Sequence, residues 1–346
     1  MHVGICGYPG SGKTTVFSAL APGANTGKGV TYGNIKVPDG RVDALAEIFS
    51  PKKSVYAECT FLDVGGTGGA RPGSGAFPAD TIQHMRNADV LVHVVRAFDN
   101  PMLLEGPDLD RDIGRFDDEL LLTDLTVLEK RHERFRKSND KTIDAQVTAK
   151  CVAHLEEGEA LRTLALTEEE QATLTGIQLL SQKPLIVLAN LGEEEWEDTA
   201  NAPWRALRDE GTNRLAMGLC GQMESEIATM DDEDQGDFLE ALGISEPARN
   251  AFIQAAYRLL DLISFLTAGP DECRAWPVRR GSSARKAAGK VHSDIERGFI
   301  RAEIYRLDEL QEFGSEAELK KQGKLRVEGK DYVMVDGDVV NYRFNV

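Results

Sequence analysis

The segment Gly7-Tyr-Pro-Gly-Ser-Gly-Lys-Thr14 constrains this chain more than any other feature of its sequence. An apolar run at residues 3–6 precedes it and a helix-like run at residues 14–20 follows, so strand, glycine-rich loop and helix come in one unit. The spacing is G-x-x-x-x-G-K-[ST], that of a phosphate-binding loop, in the context such a loop requires. Glycines let successive backbone N–H groups turn inward around a phosphate without Cβ collisions, and the helix N-terminus adds partial positive charge. Lys13 is placed to bridge β- and γ-phosphate oxygens and is the catalytic candidate. The Thr14 hydroxyl is the candidate ligand for Mg²⁺, a cation that keeps several waters and needs few protein ligands.

A chain of 346 residues exceeds what one core holds, roughly 250 to 300 residues, so more than one folding unit is expected. No apolar stretch approaches the ~20 residues needed to span a bilayer, and the motif begins too early to leave room for a secretory leader. A soluble, cytoplasmic protein with no membrane partner is the expectation. Cys6, Cys59, Cys151, Cys220 and Cys273 are scattered, odd in number and without a C-x-x-C pair, which argues against a disulfide framework or a zinc site. The net charge of −17 argues against general nucleic-acid coating. The acidic excess lies before Ser264, and within the near-neutral tail Arg279, Arg280, Arg285, Lys286, Lys290, Arg297 and Arg301 face only Asp294 and Glu296. That stretch is a candidate RNA contact, with a merely solvated face as the alternative.

Residues 58–64, 90–95, 184–189 and 215–220 read as further strands, continuous in apolar character rather than alternating. Such strands separated by helices predict a mostly parallel sheet covered on both faces. Residues 22–40, rich in Gly, Pro and Asn, read as an irregular connection, and residues 41–49 as a helix through Val42, Leu45, Ala46 and Phe49. Leu120, Leu121, Leu125 and Leu128, then Val152, Leu155, Leu161 and Leu164, predict an inserted helical hairpin over residues 118–182. Residues 224–242 and 247–262 read as helices. The tail has short β-type segments at 275–278, 300–304, 331–335 and 339–344, typical of a small α+β module. The expected domains are therefore 1–117 and 183–262 for the phosphate-loop unit, 118–182 for the hairpin and 263–346 for the tail.

Asp63-Val-Gly-Gly66 is D-x-x-G at a strand exit, where the Asp holds a metal-bound water and the Gly66 amide meets a γ-phosphate. Asn190-Leu-Gly-Glu193 stands where guanine-specific proteins carry N-K-x-D. Leu191 and Glu193 replace the Lys and the Asp, so the guanine clamp is altered and both line the expected base site. Cys220-Gly221-Gln222 is the expected second base-lining loop, or a plain strand terminus. No glutamine follows D-x-x-G, and neither Thr67 nor His84 stands out as a water-positioning group. His93, inside an apolar strand, reads as a hydrogen-bonded core histidine.

Together these residues resemble the Obg-like ATPase family, the YchF branch of the translation-factor class of P-loop GTPases. The likeness extends through Pro38-Asp-Gly-Arg-Val-Asp-Ala-Leu45, His93-Val-Val-Arg96 and the tail segments Arg274-Ala-Trp276, Gly298-Phe-Ile-Arg-Ala-Glu303 and Phe344-Asn-Val346. The resemblance implies a P-loop NTPase domain with a helical insertion, a C-terminal β-grasp (TGS) α+β domain, ATP bound in preference to or alongside GTP, and association with ribosomes. Carried over by position, it implies that Gly10, Ser11, Gly12, Lys13, Thr14 and Thr15 bind phosphates, that Leu191 lines the base, and that a threonine after the first helix, here Thr31, is a second Mg²⁺ ligand. The loop reads Pro-Gly-Ser-Gly-Lys-Thr where the family has Pro-Asn-x-Gly-Lys-Ser. The connection before Pro38 is short, Thr67 replaces an aliphatic residue, and Cys220-Gly221-Gln222 replaces Ser-Ala-Lys-type residues.

Two functions follow as expectations. The first is an Mg²⁺-dependent ATPase, GTP also possible, acting as a slow switch linked to translation. The alternative is a catalytically weak nucleotide-sensing scaffold whose tail recruits RNA or a ribosomal partner.

Overall fold

The computed structural model describes residues 1–24, 31–64, 77–197, 213–242 and 246–345. It divides into two compact units, Met1–Ile35 with Cys59–Leu259, and Lys36–Glu58 with Leu260–Val346. Residues 36–58 therefore belong with the tail, not with the phosphate-loop unit in which sequence order had placed them.

In the first unit, β1 (His2–Cys6) passes through the glycine loop into α1 (Lys13–Leu20), followed by β2 (Thr31–Lys36). The chain then gives α2 (Gly40–Phe49) and β3 (Lys53–Val55) to the second unit and returns in β4 (Glu58–Asp63), α3 (Ala79–Asn87) and β5 (Val90–Ala97). The helices α4 (Leu109–Ser138), α5 (Ile143–Glu156) and α6 (Glu168–Leu174) precede β6 (Leu185–Leu191), α7 (Glu193–Glu197) and β7 (Arg214–Leu219). The unit ends with α8 (Gly221–Ile227), α9 (Asp232–Ala241) and α10 (Ala248–Leu259). Strand order is β2-β4-β1-β5-β6-β7, and the pairings of β1 with β4 and β5, of β5 with β6, and of β6 with β7 are parallel. All seven residues of β6 are buried, as a strand covered on both faces requires. The connection expected to be irregular contains β2. Its apolar content is too low to announce a strand, but it needs only one neighbour, β4, at the sheet edge.

The expected hairpin forms from α4 and α5, but α4 begins at Leu109, so the expected boundary at 117/118 falls inside one helix. The reason is that α4 serves two cores. Ile113, Phe116 and Leu120 pack under the sheet with Leu91, Val95 and Val187, whereas Leu121 and Leu128 pack on Val147, Cys151 and Leu155 of α5. Asp124, wholly buried where these cores meet, accepts from Leu180 N (2.9 Å), Ser181 N (2.7 Å) and Ser181 Oγ (2.7 Å) and so fixes the point where the chain returns toward the sheet.

His93 is buried in β5, but neither ring nitrogen has a hydrogen-bond partner among the described residues. The expected hydrogen bond is replaced by stacking on Phe116, ring centroids 4.0 Å apart, with the Tyr8 ring edge-on at 5.9 Å. Burial, helped by the Arg214 charge, lowers its pKa to about 3. The unfolded chain takes up this proton near pH 6.5 and the folded chain only near pH 3, so stability present above pH 6.5 is lost as pH falls. His93→Leu is expected to remove up to about 1.4 kcal/mol per pH unit of that loss. Urea midpoints of both proteins between pH 7 and pH 4 check this, and parallel pH profiles refute it.

The second unit adds to α2 and β3 the elements β8 (Leu262–Thr267), β9 (Glu272–Arg279), α11 (Ala284–Val291), α12 (Ser293–Arg297) and β10 (Phe299–Arg306). It closes with α13 (Leu307–Phe313), α14 (Glu316–Lys321), β11 (Arg326–Glu328) and β12 (Asp338–Phe344). Strand order is β11-β10-β12-β8-β9-β3, and Ala284, Ala287 and Ala288 of α11 pack against Phe265, Ile304 and Tyr342. Residues 36–58 join through β3, paired in parallel with β9 (Lys53↔Glu272, Val55↔Arg274), and through Arg41, 2.8 Å from Asp336. The strand expected at 331–335 is absent; only Val333 bridges, to Ser283. Buried Asp338 instead accepts from Val335 N (2.9 Å) and the Tyr332 hydroxyl (3.0 Å), which bends this segment into a turn. The helix expected to reach residue 262 stops at Leu259, because β8 begins at Leu262. Among the described residues no helix is long and apolar enough to cross a membrane.

Candidate nucleotide-binding site

The glycine loop joins the C-terminal end of β1 to α1, at the sheet end where open α/β folds bind ligands. Gly12 (φ 78°) directly precedes α1, and no side chain caps the helix, whose first turn holds no acidic residue. Its leading amides are therefore left for an anion. Gly10 also has positive φ (82°), and a Cβ there would stand 2.7 Å from Leu103 Cδ1. A Cβ on Gly12 would stand 2.1 Å from Asn190 Nδ2. Both glycines are thus required by conformation, and Gly12 also by its close approach to the hydrogen-bonded Asn190 side chain.

Asn190, at the end of β6, donates from Nδ2 to Ser11 O (3.0 Å) and accepts at Oδ1 from Gly221 N (3.0 Å). One side chain thereby ties the phosphate loop to the start of α8. Lys13, 7% exposed, donates to Val64 O at 2.8 Å, and its ammonium lies 3.4 Å from Asp63 Oδ1 without hydrogen-bond alignment. Asp63 Oδ1 is consequently a buried carboxylate oxygen with no hydrogen-bond partner among the described residues. Thr14 is exposed in the first turn of α1 and Thr15 half-buried beside it. Thr31 is buried at the start of β2. Gly66 and Thr67 lie outside the described residues.

A cavity of about 570 Å³ opens beside the loop, lined by Gly12, Thr15, Asn190, Leu191, Glu193 and Cys220 from the sequence-derived set. Phe98, Asp99, Glu194 and Gln222 line it as well. Phe98 and Asp99 follow β5 and belong to no motif; only their place at the end of a central strand marked them. Behind them buried Arg96 donates from Nη2 to Glu105 O, anchoring the loop that brings Leu103 over Gly10. Sequence reasoning also missed Tyr8, whose hydroxyl donates to Glu119 Oε1 of α4 at 3.2 Å. Burial raises the pKa of Glu119.

A parallel sheet, a glycine loop with its lysine, an aspartate at the neighbouring strand exit and an asparagine clamp define a P-loop nucleotide-binding protein. A family described as YchF-GTPase_C, protein of unknown function, matches residues 262–345. The chain is 37% identical over 365 aligned positions to the ribosome-binding ATPase YchF of Bacillus subtilis, covering 100% of both chains. It is 35% identical over 364 positions to the protein of the same description from Escherichia coli O157:H7, covering 99% of each. The structure of the Schizosaccharomyces pombe YchF GTPase matches with a TM-score of 0.86 at 28% identity, over 99% of this chain and 97% of that one. The chain belongs to the YchF family.

Proposed function

We propose that this chain is an Mg²⁺-dependent nucleoside triphosphatase that binds ATP, with GTP as a possible second substrate, and acts in the cytoplasm as a switch associated with the ribosome. The observation that carries the reading is the Lys13–Asp63 pair at the mouth of α1, an ammonium beside a buried carboxylate oxygen that lacks a hydrogen bond. Such an oxygen suits a hard divalent cation. Asp63 and Thr14 are the residues that would hold Mg²⁺, with Thr31 the further candidate. When bound, Mg²⁺ neutralises charge on the β- and γ-oxygens. Residues Gly10 to Thr15 donate backbone and side-chain hydrogen bonds to phosphates, the Gly66 amide serves the terminal phosphate, and the Lys13 ammonium offsets its charge.

The cavity supports the base assignment. Leu191 and half-buried Phe98 offer apolar surface, and Cys220 and Gln222 of the expected second base-lining loop line the cavity with them. Glu193 accepts hydrogen bonds but is one methylene longer than the Asp that selects guanine, which favours ATP. Titrations with labelled ATP and GTP are expected to give the tighter constant for ATP, and a GTP preference on the order of a hundredfold overturns the choice. Phosphate release with and without ribosomes separates a turning-over enzyme from a nucleotide-sensing scaffold, since the scaffold stays silent under both conditions. The basic stretch from Arg279 to Arg301 is the proposed RNA-facing part of the tail.

A further inference from the structure

The phosphate loop opens with a turn from Tyr8 to Ser11. Ser11 N donates to Tyr8 O at 3.2 Å, Pro9 and Gly10 occupy the two middle positions, and Gly10 takes φ 82°, as a type II turn asks. The amides that would meet phosphate follow directly, so the pose of this turn sets where they point. One end of the turn is held by Asn190, whose Nδ2 donates to Ser11 O at 3.0 Å. Just before the other end the chain is pressed on β5, where a Cβ on Gly7 would stand 2.7 Å from Val94 O. Tyr8 itself is buried, its ring edge-on to His93 and its hydroxyl donating to Glu119 Oε1 at 3.2 Å. His93 in turn stacks on Phe116, which precedes Glu119 by three residues on α4 and so shares its face. The ring of Tyr8, through His93, and its hydroxyl both end on that face.

Packing alone does not account for this arrangement. A phenylalanine at position 8 would fill the same space, and burying a carboxylate is costly unless hydrogen bonds offset the loss of water. Glu119 is buried, its Oε2 has no hydrogen-bond partner among the described residues, and burial raises its pKa. Burial and the Glu119 carboxylate raise the pKa of Tyr8 as well, so the hydroxyl keeps its proton and donates. We propose that Glu119 is a positioning residue for phosphate binding that acts through Tyr8. Their hydrogen bond fixes the tilt of residues 8–11 and aims the amides of residues 10–13 before a nucleotide arrives, a preorganisation that lowers the cost of binding. The inference rests on the nucleotide-binding reading above and gives the turn a second clamp, at the end that Asn190 does not reach. Because the loop meets phosphates common to substrate and product, the contribution is the same for ATP and ADP and lies in binding, not in the chemical step.

Tyr8→Phe in the full-length chain keeps the ring and removes the hydroxyl. Calorimetry with Mg²⁺ is expected to show ATP and ADP each bound about fivefold more weakly, and phosphate release to show KM raised by about that factor at unchanged kcat. Glu119→Leu is expected to match it. Glu119→Gln, whose amide oxygen still accepts from Tyr8, is expected to stay within about twofold of the wild type. Should Tyr8→Phe fail to fold because it strands both carboxylate oxygens, Tyr8→Phe/Glu119→Leu leaves neither group unpaired and carries the same expectation of about fivefold. Variants that melt earlier yet bind ATP and ADP as tightly as the wild type overturn the proposal, since the contact then serves the fold alone. A Glu119→Gln chain as weak as Glu119→Leu also overturns it, because charge and not the hydrogen bond would then act, as does a fall in kcat at constant KM. A wild-type chain that takes up neither nucleotide removes the nucleotide-binding reading and the proposal with it, whereas normal uptake by wild type and variants alike removes the proposal alone.

Discussion

Lys13→Ala is expected to lower ATP affinity at least a hundredfold, about 2.7 kcal/mol or more, read by calorimetry in the presence of Mg²⁺. The ammonium is almost fully buried and oriented by Val64 O, so it meets the phosphates in a site of low dielectric where charge-assisted bonds are strong. No neighbour can take its place, because the α1 amides and the Thr14 hydroxyl carry no formal charge. The substitution also leaves the Asp63 carboxylate without its cation, and a moderate fall in thermal midpoint is expected alongside. ATP supplied during the melt is expected to raise the midpoint of the wild type and not that of the variant. Equal affinity in the two proteins removes the site assignment altogether.

What the sequence disclosed was whatever is encoded in short spacing. The loop from Gly7 to Thr14 needs its glycines and lysine at fixed intervals, so strand, loop and helix were legible from about twenty residues. Asn190 was legible for the same reason. Phe98 and Asp99 were not, because a cavity wall is made where strand ends converge and asks nothing of the local pattern. Tyr8 meets Glu119 across 111 positions, and β3 finds β9 more than two hundred positions away, so neither pairing leaves a mark near its own residues. The assignment of residues 36–58 failed on that point. Chain order placed them beside β1 and β4, whereas the ladder to β9 and the Arg41–Asp336 contact draw them into the tail unit. The hairpin boundary failed for another reason, since one helix crosses from the sheet core to the hairpin core without a break.

Gly12→Ala tests the clamp that these distant residues build. An added methyl would lie 2.1 Å from Asn190 Nδ2 on a backbone at φ 78°, so it strains the loop and pushes the amide off Ser11 O and Gly221 N. Left-handed backbone on a non-glycine residue costs about 1–2 kcal/mol. Two displaced hydrogen bonds add about 1 kcal/mol each. A loss of about 3 kcal/mol is therefore expected, roughly 6–12 °C in the melting midpoint for a unit of this size, together with at least a hundredfold loss of ATP affinity. Asn190→Ala removes the same two bonds but leaves the glycine conformation intact, so its cost is smaller. The double variant separates the two contributions. With the Asn190 side chain gone the new methyl has nothing to strike, and the double variant is expected to be more stable than the sum of the single losses by about 1–2 kcal/mol. Additive losses would mean that the loop is held by its own turn rather than by Asn190.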